Sequence, residues 1–131
     1  MRATFRNQGQ VCTAAARLVA HESLADELSE RVAERVRALD PGPLISERQR
    51  AHVLDLYQSA LAEGARALAG GGGVDGPGFY VEPTVFVDTT NDMRINREEI
   101  FGATKKPPGS PSTSAAPPPT TTSAPSRAAE S

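Results

Sequence analysis

At 131 residues the chain has room for one modest domain at most, and 38% hydrophobic and 5% aromatic residues, with no tryptophan, are a thin supply for a self-sufficient core. Fourteen Lys and Arg against sixteen Asp and Glu leave a net charge of −2, which gives no reason to expect nucleic acid or an anionic membrane as partner. No apolar run approaches the ~20 residues of a membrane span, the polar start lacks the apolar centre of a secretory signal, and the single cysteine, Cys12, cannot form an internal disulfide, so a reducing, cytoplasmic setting is expected.

Residues 5–16 open with polar groups and Gly9 and then turn small, so a loop entering a short helix near Cys12 is expected. Arg17–His21 alternates as a short strand would. Ser23, with Asp26 three residues on, resembles a capping box, and Leu24, Leu28, Val32, Val36 and Leu39 recur at helical spacing. Asp40-Pro41-Gly42-Pro43 stops that helix. A second helix starts at the Ser46 cap, carries Val53, Leu54, Tyr57 and Leu61 as its apolar stripe, and ends at Gly64. Ala65–Leu68 reads as a short strand. Gly70–Gly73 lacks the Lys-Ser/Thr of a phosphate-binding loop and no helix start follows it, so a surface loop is expected. Phe79–Asp88 is the strongest strand signal, and Pro83 makes it either an edge strand or two strands separated by a bend. Arg94–Gly102 is expected to hold one helical turn around Glu98 and Glu99.

Composition changes abruptly after Gly102. Residues 1–102 contain eleven Arg and no Lys, whereas both lysines and seven of the eleven prolines lie beyond. Prolines aside, residues 103–131 hold no apolar side chain larger than alanine and cannot bury enough surface to offset their ordering entropy. The expected organisation is a folded unit over 1–102 and a disordered tail over 103–131, in which Pro117-Pro118-Pro119 suits an extended ligand for an aromatic groove.

Cys12 is the residue with most chemistry to offer. A thiol at the mouth of a helix would feel the positive end of the helix dipole, which favours thiolate, and its own backbone N–H would be free to donate to an oxyanion. On residue chemistry alone, Cys12 among alanines fits either that nucleophile or a small buried core residue. His21 and His52 have no partner at metal-ligand spacing, so no zinc site is expected, and a cysteine hydrolase lacks a recognisable histidine motif. Glu98 and Glu99 are adjacent, so their side chains diverge, and surface charge is their simplest reading.

Phe5-Arg6-Asn7-Gln8-Gly9-Gln10-Val11-Cys12-Thr13-Ala14 resembles the cysteine active-site motif of the NAD(P)-dependent aldehyde dehydrogenase superfamily. The likeness continues in order through Arg17–Glu22, Gly42-Pro43-Leu44-Ile45-Ser46, Ala62-Glu63-Gly64-Ala65, Gly78–Phe86 and Glu98-Glu99-Ile100-Phe101-Gly102. The resemblance implies an α/β fold, part of a catalytic domain in which a Rossmann-like parallel sheet is flanked by helices. It implies Cys12 as nucleophile toward an aldehyde, forming a thiohemiacetal and then a thioester, with NAD or NADP as cofactor. It also implies Glu99 at the nicotinamide ribose hydroxyls and Phe101 beside the nicotinamide. The family's cofactor domain, oxyanion asparagine and general-base glutamate lie upstream of this motif, and nothing in these residues resembles them. A fragment without dehydrogenase activity or cofactor binding of its own is therefore expected. The other expected role is a non-catalytic protein associating with a full-length homologous subunit. Ala103 begins a sequence unlike the family's continuation, which points to a shifted reading frame; sequencing the DNA should reveal dehydrogenase-like sequence in another frame after codon 102, and its absence there would remove this explanation.

Overall fold

The protein is described from a computed structural model over residues 2–105. The expected disorder of residues 106–131, with its polyproline stretch, lies outside the described residues. Helix α1 (Arg2–Phe5) leads into a tight 3₁₀-type segment (Arg6–Gly9), followed by α2 (Glu22–Arg37), α3 (Glu47–Ala62), β1 (Arg66–Ala69), β2 (Thr84–Val87), α4 (Arg94–Arg97) and β3 (Thr104–Lys105).

Both long helices start where side chains can satisfy their orphan amides, but only one starts at the expected residue. Ser46 caps α3 by accepting from Gln49 N at 3.1 Å. The cap of α2 is His21, not Ser23: its Nδ1 accepts from Ser23 N at 3.3 Å while its own backbone stays extended. The buried stripe also differs from the expected one. Ser29, Val32, Ala33 and Val36 are the buried face of α2, whereas Leu24 is 56% exposed and Leu39 lies past the helix end. On α3 the buried set is Val53, Leu56, Tyr57 and Ala60, with Leu61 turned out. Gly64 ends α3 as expected. At φ +103° it lets Gly64 N reach Leu61 O and Ala65 N reach Ala60 O, the two bonds of a Schellman stop.

The sheet has strand order β1-β2-β3. β2 pairs antiparallel with β1, around a register shift at Ala67/Ala69, and parallel with β3. The expected parallel arrangement thus holds on one side of β2 only. β1 returns to β2 through the glycine loop rather than a crossover helix, and such a return makes an antiparallel pair. Pro83 separates two extended stretches: Tyr80 and Val81 make isolated bridges to Pro43 and Gly73, and β2 begins just after it. No strand forms at Arg17–His21, where Val19 is 85% exposed.

All four β2 residues are buried, because helices cover both faces. Phe86 points into a cluster with Val53, Leu56, Tyr57 and Ile95, and meets Tyr57 edge-on with ring centroids 5.3 Å apart. Val85 points the other way, into a cluster with Val32, Ala33, Val36 and Ala69. The ordered unit also runs past the composition break at 102/103. Thr84 N donates to Ala103 O at 2.9 Å, and Thr104 is buried with its Oγ1 2.8 Å from the Tyr57 hydroxyl. Among the described residues, no helix is long and apolar enough to cross a membrane.

Tyr57 tests this last join. Its loss to phenylalanine removes the bond to Thr104 and should cost about 1 kcal/mol in urea unfolding at neutral pH. Burial pushes the Tyr57 phenol above its ordinary range, so stability conferred by the neutral phenol is full below about pH 10 and falls as pH rises toward the folded value. The Tyr57→Phe chain should therefore lose stability less steeply above that pH than the parent; parallel alkaline limbs would refute the buried-phenol account.

Candidate active site

The cysteine segment is shaped by three consecutive left-handed residues, Asn7 (φ +50°), Gln8 (φ +58°) and Gly9 (φ +72°). They end the N-terminal helical stretch and reverse the chain. Val11–Ala14 then closes a turn through Ala14 N to Val11 O at 3.0 Å, and Cys12 sits exposed within it. The expected helix at Cys12 is therefore absent: the short helical stretch precedes the cysteine. Nor is the thiol buried. The chain after the turn stays out of a helix because other elements hold it. Thr4 Oγ1 donates to Ala15 O at 2.7 Å, and the Arg17 guanidinium donates to Asn96 O.

The facing wall is residues 98–102. Helix α4 occupies Arg94–Arg97 and stops before Glu98, so the expected turn lies just upstream of the two glutamates. Glu63, at the end of α3, caps α4 by accepting from Arg94 N at 3.0 Å. The Arg94 guanidinium bonds both carboxylate oxygens of Glu98, at 2.7 and 3.3 Å, and Asp55 at 2.7 Å. Arg94 holds the Glu98 carboxyl below the usual carboxylate range, and Glu98 with Asp55 holds the Arg94 guanidinium above its own. Glu98 is thereby committed to an ion pair, while the neighbouring Glu99 side chain is exposed.

Two residues that the sequence did not single out as site residues organise this wall. Gln49 Nε2 donates to Ile100 O at 2.9 Å and to Phe101 O at 3.0 Å, and His52 Nε2 lies 3.0 Å from Glu99 O. Three successive carbonyls are thus tethered to one edge of α3, with Phe101 in the left-handed region at φ +52°. Their i, i+3 spacing on an otherwise amphipathic helix was the available signal. No group of three His, Cys, Asp or Glu that could hold a metal ion occurs among the described residues.

The walls meet backbone to backbone. A Cβ on Gly9 would lie 2.1 Å from Gly102 O and 2.5 Å from Gly102 C, so only glycine permits the contact. The result is a solvent-open cleft of about 200 Å³ lined by Cys12, Gly9, Asn96, Glu99, Phe101 and Gly102, among others. The structure brings all three expected site residues, Cys12, Glu99 and Phe101, to this one cleft.

The sequence profile of the aldehyde dehydrogenase family matches residues 1–104. The chain belongs to the aldehyde dehydrogenase family. Mouse retinal dehydrogenase 2 is 45% identical over 112 residues, covering 78% of this chain and 22% of that protein. Among solved structures, an aldehyde dehydrogenase from Bacillus cereus in complex with NAD+ superposes with a TM-score of 0.77 at 31% identity, over 84% of this chain and 25% of that one. A Pseudomonas syringae aldehyde dehydrogenase mutant complexed with NAD+ and octanal superposes with a TM-score of 0.78 at 32% identity, over 83% and 25% of the two chains. The aldehyde dehydrogenase segment in hand therefore spans about a quarter of the length of the relatives it matches.

Gly9→Ala should destabilise the chain by about 3–5 kcal/mol, from left-handed strain plus the clash with Gly102. Gly64→Ala has comparable strain but open space around the new methyl, and should cost about 1–2 kcal/mol. Urea midpoints compare the two; equal losses would show that the Gly9–Gly102 contact contributes nothing beyond its dihedral.

Proposed function

We propose that this segment supplies the nucleophile and part of the nicotinamide-side wall of an NAD(P)-dependent dehydrogenase that oxidises an aldehyde to a carboxylic acid. The observation that carries the reading is the single, exposed thiol sharing one cleft with Glu99 and Phe101. As thiolate, Cys12 attacks the aldehyde carbon and forms a C–S bond. The carbonyl oxygen becomes the alkoxide of a thiohemiacetal, toward which the Cys12 backbone N–H is the proposed donor. The cleft's donor set fits the nicotinamide end of a dinucleotide. Glu99 is a carboxylate acceptor for ribose hydroxyls, and Phe101 offers a flat apolar face. Bound there, the cofactor supplies the hydride acceptor that leaves a thioester on Cys12. Water then cleaves the C–S bond, releasing the acid and restoring the thiol. The relatives solved with NAD+ support this cofactor class. A cytoplasmic setting is part of the proposal and agrees with a rat relative described as cytosolic.

These 131 residues alone form an open cleft with one proposed oxyanion donor, and lack of a second donor costs about 10²–10³ in rate. With no general base assigned among these residues, the segment by itself is proposed to be inactive and not to hold NAD(P). A second reading is association with an intact dehydrogenase subunit, to which the exposed Val19 and Ile45 offer apolar side chains. Co-purification with a co-expressed full-length homologue tests it.

The isolated chain should give no NAD(P) reduction across an aldehyde panel; turnover abolished by Cys12→Ser would overturn the inactivity. An activated ester should still acylate Cys12, leaving a thioester visible by intact mass that water slowly removes. A chain that stays unmodified would overturn the nucleophile assignment.

A further inference from the structure

We propose that Gln10 is a positioning residue for Cys12, stapling the left-handed cysteine turn to the turn at residues 42–45. The inference rests on the reading of Cys12 as nucleophile. Asn7 and Gln8 both have side chains and both occupy left-handed dihedrals, a conformation that carries a steric cost for non-glycine residues and persists only when its surroundings fix it. Gln10 is the residue that fixes it. Its backbone N–H and its Nε2 both donate to Asn7 O, at 3.1 and 3.3 Å, and Asn7 Nδ2 reaches back to Gln10 O at 3.4 Å. Its Oε1 accepts from Ile45 N at 2.9 Å.

Ile45 immediately precedes the α3 cap Ser46, so its amide has no place in the helix ladder. The staple therefore ties the cysteine turn to the start of the same helix whose Gln49 and His52 hold the opposite wall. Gln8 adds a second contact to the same place: a Cβ on Gly42 would lie 2.2 Å from Gln8 Nε2, so the Gln8 side chain rests on the Gly42 backbone. The Gln10 carboxamide accepts from Ile45 and donates to Asn7 at once. Glutamate lacks the donor, lysine the acceptor, and an aliphatic side chain both. Gln10 touches neither thiol nor cleft; it acts through the backbone that carries Val11 and Cys12.

Because Cys12 is the sole cysteine, a trifluoromethyl thiol reagent reports on that site alone, in the full chain and without aldehyde or cofactor. The parent should give one sharp fluorine resonance. Gln10→Ala should broaden or split it and speed exchange of the Ile45 amide about tenfold, while the amides of Leu56 and Phe86 keep their protection. An unchanged fluorine line would overturn the proposal, whatever Ile45 does. Should Gln10→Ala lose core protection, Gln10→Glu decides. It retains the acceptor for Ile45 but not the donor for Asn7, so the fluorine line should change with Ile45 still protected, and an unchanged line again overturns the proposal. Failure here would leave Cys12 acylation untouched, and failure of acylation would leave the staple untouched.

Discussion

The close approach of Gly9 to Gly102 is the contact on which the site depends. Neither residue tolerates a side chain there. A Cβ on Gly9 would strike the Gly102 carbonyl, and one on Gly102 would lie 2.8 Å from Val53 Cγ2. Gly102 is thus pressed between the cysteine turn and the buried face of α3. Two chain segments about ninety residues apart are held at backbone contact distance, and the side chains flanking each glycine open onto the space beside it. The cleft opens beside this glycine contact and has Cys12, Glu99 and Phe101 among its lining residues.

Helix α3 makes that approach rigid. Its apolar face enters the core through Val53, Leu56, Tyr57 and Ala60, while one polar edge presents Gln49 and His52 to the carbonyls of Glu99, Ile100 and Phe101. Asp55 pairs with Arg94, and Glu63 caps α4. Surface ion pairs of this kind contribute little to stability, but here they carry geometric information. Arg94 ties up the carboxylate of Glu98, while both Glu98 and Glu99 border the cleft. A single helix thus couples the core to the site, and any loss of its packing loosens the wall it tethers.

Local chemistry was legible in the sequence where one residue type decides the conformation. Ser46, Gly64, the glycine loop and the break at Pro83 are of this kind. The motif order placed Cys12, Glu99 and Phe101, and the structure brings them together. What the sequence concealed depended on partners distant along the chain. The alanines after Cys12 are good helix formers, yet Thr4 and Arg17 hold that stretch on other elements. Leu24 and Leu39 fit the period of α2 but extend past the sheet face it covers, so they stay exposed. Thr104 sits in a low-complexity stretch and is nonetheless buried, because Tyr57 and the edge of β2 offer it partners. Gln49 and His52 resembled ordinary surface polarity, since backbone carbonyls as partners leave no trace in composition.

The same architecture explains how a quarter-length match to an enzyme family retains a recognisable site. Both walls of the cleft are anchored within the described residues, one by the left-handed turn and its contacts with residues 42–45, the other by α3. Catalysis demands more than two walls: acyl chemistry needs a water-poor enclosure and donors aimed at the developing charge. An open cleft with an exposed thiol meets the first requirement of nucleophilic attack, access, and fails the second, exclusion of water. If Cys12 acts as proposed, positioning of the nucleophile and enclosure of the reaction are separable tasks in this fold, and the anchored walls serve the first.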